Sequence, residues 1–321
     1  MTATFALLHA GVSRLWRADR TLTAAGLLML VTLLTAVAGM ALDPRTIGGA
    51  PAWLKPAKFG LSTAVYSLML AWVFEWLPDW PRVRRTVSWT TAAVFVLEVT
   101  IIGAQVWRGT TSHFNVATPR DAALFAVMGI AIAAQTLASA SVAYALWRQP
   151  IADRTMGAAL RAGMFITVIG ASTGGLMTAP TSAQLREARA TNQMAVSGAH
   201  TVGAPDGGAG LPGVGWSRDH GDLRVPHFLG LHALQTLPLL VVLLRRLGAN
   251  VSVRMTQSFA ASHAALFGIL LVQALRGEAL VAPSLLTTVL FGGWTVGTTV
   301  ALLVTAPRRD AALSPSAMTE A

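Results

Sequence analysis

Eight times along the chain, a run of about 20 apolar residues gives way to a short polar break. That repetition constrains the fold more than any motif does. A helical run of this length matches the roughly 30 Å hydrocarbon core of a bilayer, and a water-soluble core has no use for so many of them. The runs lie near 22–42, 58–77, 87–107, 122–146, 159–179, 226–247, 255–275 and 283–305. The expectation is an all-α, polytopic integral membrane bundle of eight transmembrane helices, one membrane domain over residues 22–306. An amphipathic segment, 1–21, precedes it, with Phe5, Leu8, Val12 and Leu15 on one side. A short disordered tail, 307–321, follows. Composition agrees, because charged residues make up only 12% of the chain, about half the roughly 25% usual in soluble domains.

The formal net charge of +10 raises the question of nucleic acid, but the cations are scattered in short groups between apolar runs. They read as orientation signals for a lipid bilayer, and nucleic acid is not an expected partner. With both termini in the cytoplasm, every connection on that side carries an arginine group. These are Arg14, Arg17 and Arg20; Arg82, Arg84 and Arg85; Arg148, Arg154 and Arg161; Arg245, Arg246 and Arg254; and Arg308 with Arg309. Lys55 and Lys58 are the only lysines, and abundant Ala and Gly fit a GC-rich bacterial genome, so the expected location is a bacterial cytoplasmic (inner) membrane. No small-residue cleavage site closes a short apolar region after Arg20, so the first span is expected to be retained. The chain has no cysteine, which excludes disulfides, thiol relays and thiolate iron–sulfur ligation.

This orientation puts the unusual connections outside: "PAWLKPAKFG", "WRGTTSHFNVATPRD" and the long segment 181–225. The last is too apolar for a free linker, and Trp216 needs a packing surface. It is expected to fold back over the helix ends, with a short helix at 182–190.

Polar residues inside the apolar runs point to a site. Glu98 lies about 13 Å below Trp107 along its helix, at a depth where a charged carboxylate costs a few kcal/mol. Gln105 is seven residues on and shares its face. "VPHFLGLHALQTLP" brings His232 and Gln235 to a similar depth on one face of another helix, with Pro238 expected to kink it. The expectation is an outward-facing polar cavity built from Glu98, Gln105, His232 and Gln235, rimmed by Lys58, Arg108, His113, Asn115, Asp222, Arg224 and His227. Such a cavity would bind or translocate a small polar or protonatable solute. Each of these residues also has a purely structural use, as an interhelical clasp or a turn.

The alternatives are a membrane redox enzyme or haem/metal-binding protein, using His113 and His227 with His232, and a non-catalytic accessory subunit. His263 is a poor second axial ligand to His232, since the two sit about 9 Å apart in depth. No paired carboxylates, nucleophile elbow or phosphate loop names a reaction. Gly170 with Gly174, and Gly293 with Gly297, offer small-residue faces for homo-oligomer or complex formation.

Overall fold

The computed structural model describes residues 2–306. The expectations for the tail 307–321 and its Arg308 and Arg309, and for the side chain of Phe5, lie outside the described residues. Among these residues, seven helices are long and apolar enough to cross a membrane, and a bent pair taken as one raises this to eight at most.

The helices are α1 (Thr2–Ala18), α2 (Arg20–Leu42), α3 (Leu54–Val73), α4 (Pro81–Trp107), α5 (Pro119–Arg148), α6 (Arg154–Ser172), α7 (Gly174–Thr178), α8 (Ser182–Thr191), α9 (Arg224–Leu231), α10 (Ala233–Arg246), α11 (Val253–Leu275) and α12 (Leu285–Thr305). Their starts are written locally. Asp19, Thr118, Asp153, Ser252 and Ser284 each accept a first-turn backbone N–H, and Pro81 and Pro119 open α4 and α5. The bundle has a short-turn end, with connections 77–80, 149–153 and 247–252, and a loop-rich end, with 43–53, 108–118, 179–223 and 276–284.

In α1, Leu15 packs on the main apolar cluster and Arg14 pairs with Glu75 at 2.6 Å, while Leu8 and Val12 are exposed. That cluster joins Leu22, Leu70, Leu146, Leu160, Met164, Leu234 and Leu237 from α2, α3, α5, α6 and α10 with Phe74 from the turn after α3. In a bilayer such contacts hold by close packing, because lipid tails are as apolar as the side chains.

Closest approach occurs along α6. A Cβ at Gly170 would lie 2.6 Å from Gly230 Cα, and one at Gly163 would lie 2.9 Å from Ala233 O, so this face admits only glycine. Gly170 is therefore spent inside the chain, and Gly174 looks onto the His227 ring, so this pair offers no free oligomer face. A Cβ at Gly293 or Gly297 would meet nothing within 4 Å.

The helix expected to kink at Pro238 breaks instead at His232, where α9 and α10 meet at 47°. The reason is a neighbour: Thr167 Oγ1 on α6 donates to Leu231 O at 3.3 Å and accepts from Leu234 N at 3.1 Å. A side chain that satisfies both freed backbone groups makes a break tolerable within the membrane.

The 181–225 segment is folded, as its composition requires. Helix α8 opens with a reciprocal capping box between Thr181 and Gln184. Strand β3 (Thr201–Val202) pairs antiparallel with β4 (Gly221–Asp222), as β1 (Thr46–Ile47) does with β2 (Ala50–Pro51). Trp216 packs edge-on against Phe228 at 5.7 Å. Bonds from Ser197 N to Phe114 O and from Ala199 N to Met177 O fasten the segment across the helix ends.

Candidate functional site

Helix α4 carries one buried face from end to end, and its polar members are Ser88, Thr91, Glu98 and Gln105. Their spacings of three and seven keep them in line on an α-helix. The two ends of this face are tied down. At the short-turn end, Ser88 Oγ donates to Asp19 Oδ2 at 2.7 Å, while Asp19 Oδ1 caps α2. At the loop-rich end, Gln105 Nε2 donates to Asp121 Oδ1 at 3.0 Å, and Arg108 grips both Gln105 Oε1 and Asp121 Oδ1 at 2.5 Å. Thr118 Oγ1 donates to Asp121 Oδ2 at 2.7 Å and completes the knot.

Between these ends the face is not satisfied. Glu98 is 0% exposed, and neither of its carboxylate oxygens has a hydrogen-bond partner among the described residues. Lys55, on the first turn of α3, is the cation whose charge reaches it, without forming an ion pair. The apolar clusters that flank Glu98 along α4 are Ile101, Ile102 and Met128 with Phe59 on the loop-rich side, and Phe95, Val94, Met29 and Ala131 on the short-turn side. Of the three buried carboxylates among the described residues, Asp121 and Asp222 each hold an arginine. Glu98 holds nothing.

The acid and the imidazole that the sequence placed at one level do not meet. Helix α4 packs on α2, α3 and α5, whereas α9 and α10 pack on α6 and α11. His232 sits at the break, where its Nδ1 donates to Phe228 O at 2.8 Å and its ring lies 4.0 Å from that of Phe228. Gln235, with its amide turned to donate, lies 3.1 Å from the carbonyls of Leu231 and His232. Both residues serve their own helix.

The rim residues divide in the same way. Arg224 is bidentate to Asp222 and also donates to Gly215 O, while Lys58 Nζ donates to Val214 O at 2.7 Å. Asn115 Nδ2 donates to Thr110 Oγ1 and its Oδ1 accepts from Ala117 N. The Arg224 and Lys58 contacts shape the long segment, and those of Asn115 shape the 108–118 connection. His227 Nδ1 donates to Gly170 O at 2.8 Å, and His263 Nε2 to Leu229 O at 3.0 Å, so both clasp neighbouring helices. His113 lies among the rings of Phe59, Phe114 and Phe125. Burial pushes its imidazole well below the usual range, and the charges of Lys55 and His200 act in the same direction. Among the described residues no group of three or more His, Asp or Glu side chains is placed to hold a metal ion.

Neither family models, curated proteins nor solved structures give a match to this chain. Its chemistry is read from its own side chains.

Several participants carried no clear sequence signal. Asp121 reads as a helix-start residue, and only the packing of α5 on α4 brings it to Arg108 and Gln105. His200 Nδ1 and Asp206 Oδ2 pair at 2.8 Å within the long segment. Burial opposes ionisation of Asp206, but the His200 imidazole and the N–H groups of His200 and Thr201 outweigh it and hold the carboxyl well below its usual range. Deeper in the bundle, Tyr66 Oη and Ser139 Oγ lie 2.7 Å apart, with Gln135 Nε2 3.5 Å from the same Ser139 oxygen. Gln135 and Ser139 are four apart in an apolar run, a spacing that marks a shared helix face.

Proposed function

We propose that this chain is a multi-pass membrane protein that binds or moves a small polar or protonatable solute, with Glu98 as the exchanging group. One observation carries the reading: a buried carboxyl group with two free oxygens, in a structure whose other buried carboxylates grip arginines. An ionisable group in the bilayer core costs a few kcal/mol when it has no partner, so one that is kept there without a clasp is available to take up a proton or a cationic group. Lys55 and His113 stand on the loop-rich side of Glu98 and form its approach. In this reading both termini and the short-turn end, with its arginine groups, face the cytoplasm, eight spans cross a bacterial inner membrane, and the loop-rich end faces outward.

The test is infrared difference spectroscopy of the protein in nanodiscs, recorded between acidic and alkaline pH. A carboxylic C=O band that titrates in the wild type and disappears in Glu98→Gln supports the proposal. A wild-type spectrum with no contribution from Glu98 across that range overturns it.

A further inference from the structure

Seven buried side chains among the described residues carry an unsatisfied polar atom; Trp76, Gln149 and Gln273 stand apart near helix ends, and the other four share one region. Those four, Glu98, Thr91, Ser67 and Gln135, each lack a partner for an oxygen. All four lie on α3, α4 and α5, of which α4 packs on both of the others. Thr91 is two turns from Glu98 on the same face of α4, about 10.5 Å towards the short-turn end. Phe95 stands between them, and Tyr66 meets it edge-on at 5.7 Å. Tyr66 and the adjacent Ser67 therefore enter at the level of the interval that separates Glu98 from Thr91, and Tyr66 continues to Ser139 and Gln135. Below Thr91 the next polar residue on the face is Ser88, bonded to Asp19. Ser88 and Asp19 line a cleft of about 350 Å³ at the short-turn end, together with Thr21, Arg84, Arg85 and Trp89.

Buried oxygens without protein partners are where proteins hold internal water, and hydroxyl groups both accept and donate. We infer that the Thr91, Ser67 and Tyr66–Ser139–Gln135 groups form a proton relay that joins Glu98 to the cleft at Asp19. The inference rests on the reading of Glu98 as an exchanging group and adds to it a second route, leading to the opposite side of the membrane. In each step a hydroxyl oxygen or internal water accepts one proton and releases another to the next oxygen. One O–H bond forms as one breaks, no electrons change hands, and the net result is one proton delivered to or taken from the Glu98 carboxyl. The charge that acts on Glu98 is that of Lys55 on α3; α2 and α5 present Met29, Met128 and Ala131 to this stretch.

The test uses the full chain in liposomes loaded with a pH-sensitive dye, with a potassium diffusion potential driving proton entry. The wild type is expected to pass protons above the level of empty vesicles. Flux should fall to that level in Glu98→Gln and in Thr91→Val, which removes only the hydroxyl, and return in Thr91→Ser. The Glu98 infrared band should persist in Thr91→Val, which shows that the variant is folded. Flux that survives Thr91→Val overturns the relay. Wild-type flux no greater than that of empty vesicles, with a titrating Glu98 band, overturns the relay and leaves the proposed function standing. Loss of the band itself overturns both.

Discussion

Gln105 lies seven positions beyond Glu98 on one face of α4, and the two positions are treated in opposite ways. At Gln105, an amide, a guanidinium, a carboxylate and a hydroxyl close on one another through Arg108, Asp121 and Thr118. At Glu98, a carboxyl is set among Ile102, Phe95 and Met128 with both oxygens free. Buried polar groups are normally paired, because an unpaired one costs the full desolvation of that group. The upper cluster therefore holds the shape of the loop-rich end. The lower group ties no element to another, and its free oxygens are what the proposed exchange role rests on.

The comparison breaks most readily at its two carboxylates. Asp121→Ala leaves the Arg108 guanidinium and the Gln105 amide without their acceptor. The expected result is the lowest melting temperature of any variant named here, with rapid hydrogen exchange across 108–118. Glu98→Gln is expected to melt at or above the wild-type temperature, since it replaces an unpaired acid by a neutral isostere. Equal destabilisation by the two substitutions, read by thermal unfolding in detergent, would show that the regions do not differ in kind.

Gly170→Val sharpens the contrast between used and unused surface. Its side chain would collide with the Gly230 backbone, an overpacking cost of about 1–3 kcal/mol. Gly293→Val, with open space around it, should leave the melting temperature of the monomer unchanged. A third, smaller effect comes from Glu278, which ties the 276–284 connection to α12 through Thr287, Ser284 and Arg276. The Thr287 hydroxyl and then the Arg276 guanidinium lower its carboxyl from 4.5 to about 2. A lowered value means that the contribution is complete above pH 4.5 and is lost as pH falls towards 2. Amide exchange at the first turn of α12 should accelerate over that window, and Glu278→Gln should remove the dependence.

Much of this architecture was legible because an apolar run of bilayer length has few other uses. The short helix after Thr181 follows from local residue chemistry in the same way. Glu98 was legible as a charge in oil, and Gln105 as its face-mate by spacing alone. Helix adjacency was not. Depth along a helix can be counted from the sequence, but whether two helices touch depends on packing that no single segment encodes. His232 lies at a plausible depth, yet α9 is held against α6 by Gly170 and Gly230, away from α4. The relevant sign was the pair Gly163 and Gly170, seven apart, rather than Gly170 and Gly174. The break at His232 was hidden for a related reason, since the hydroxyl that stabilises it belongs to Thr167 on another helix.

The length of α5 has a consequence for the whole assembly. Thirty residues make a rod of about 45 Å, in a slab whose oily part measures roughly 30 Å. Such a rod leans or stands proud, and how far it does so follows the thickness of the surrounding lipid. Asp121 rides near one end of the rod and Ser139 on its far half, so a thinner or thicker host membrane pulls at once on the Gln105 contact of α4 and on the Tyr66 contact of α3.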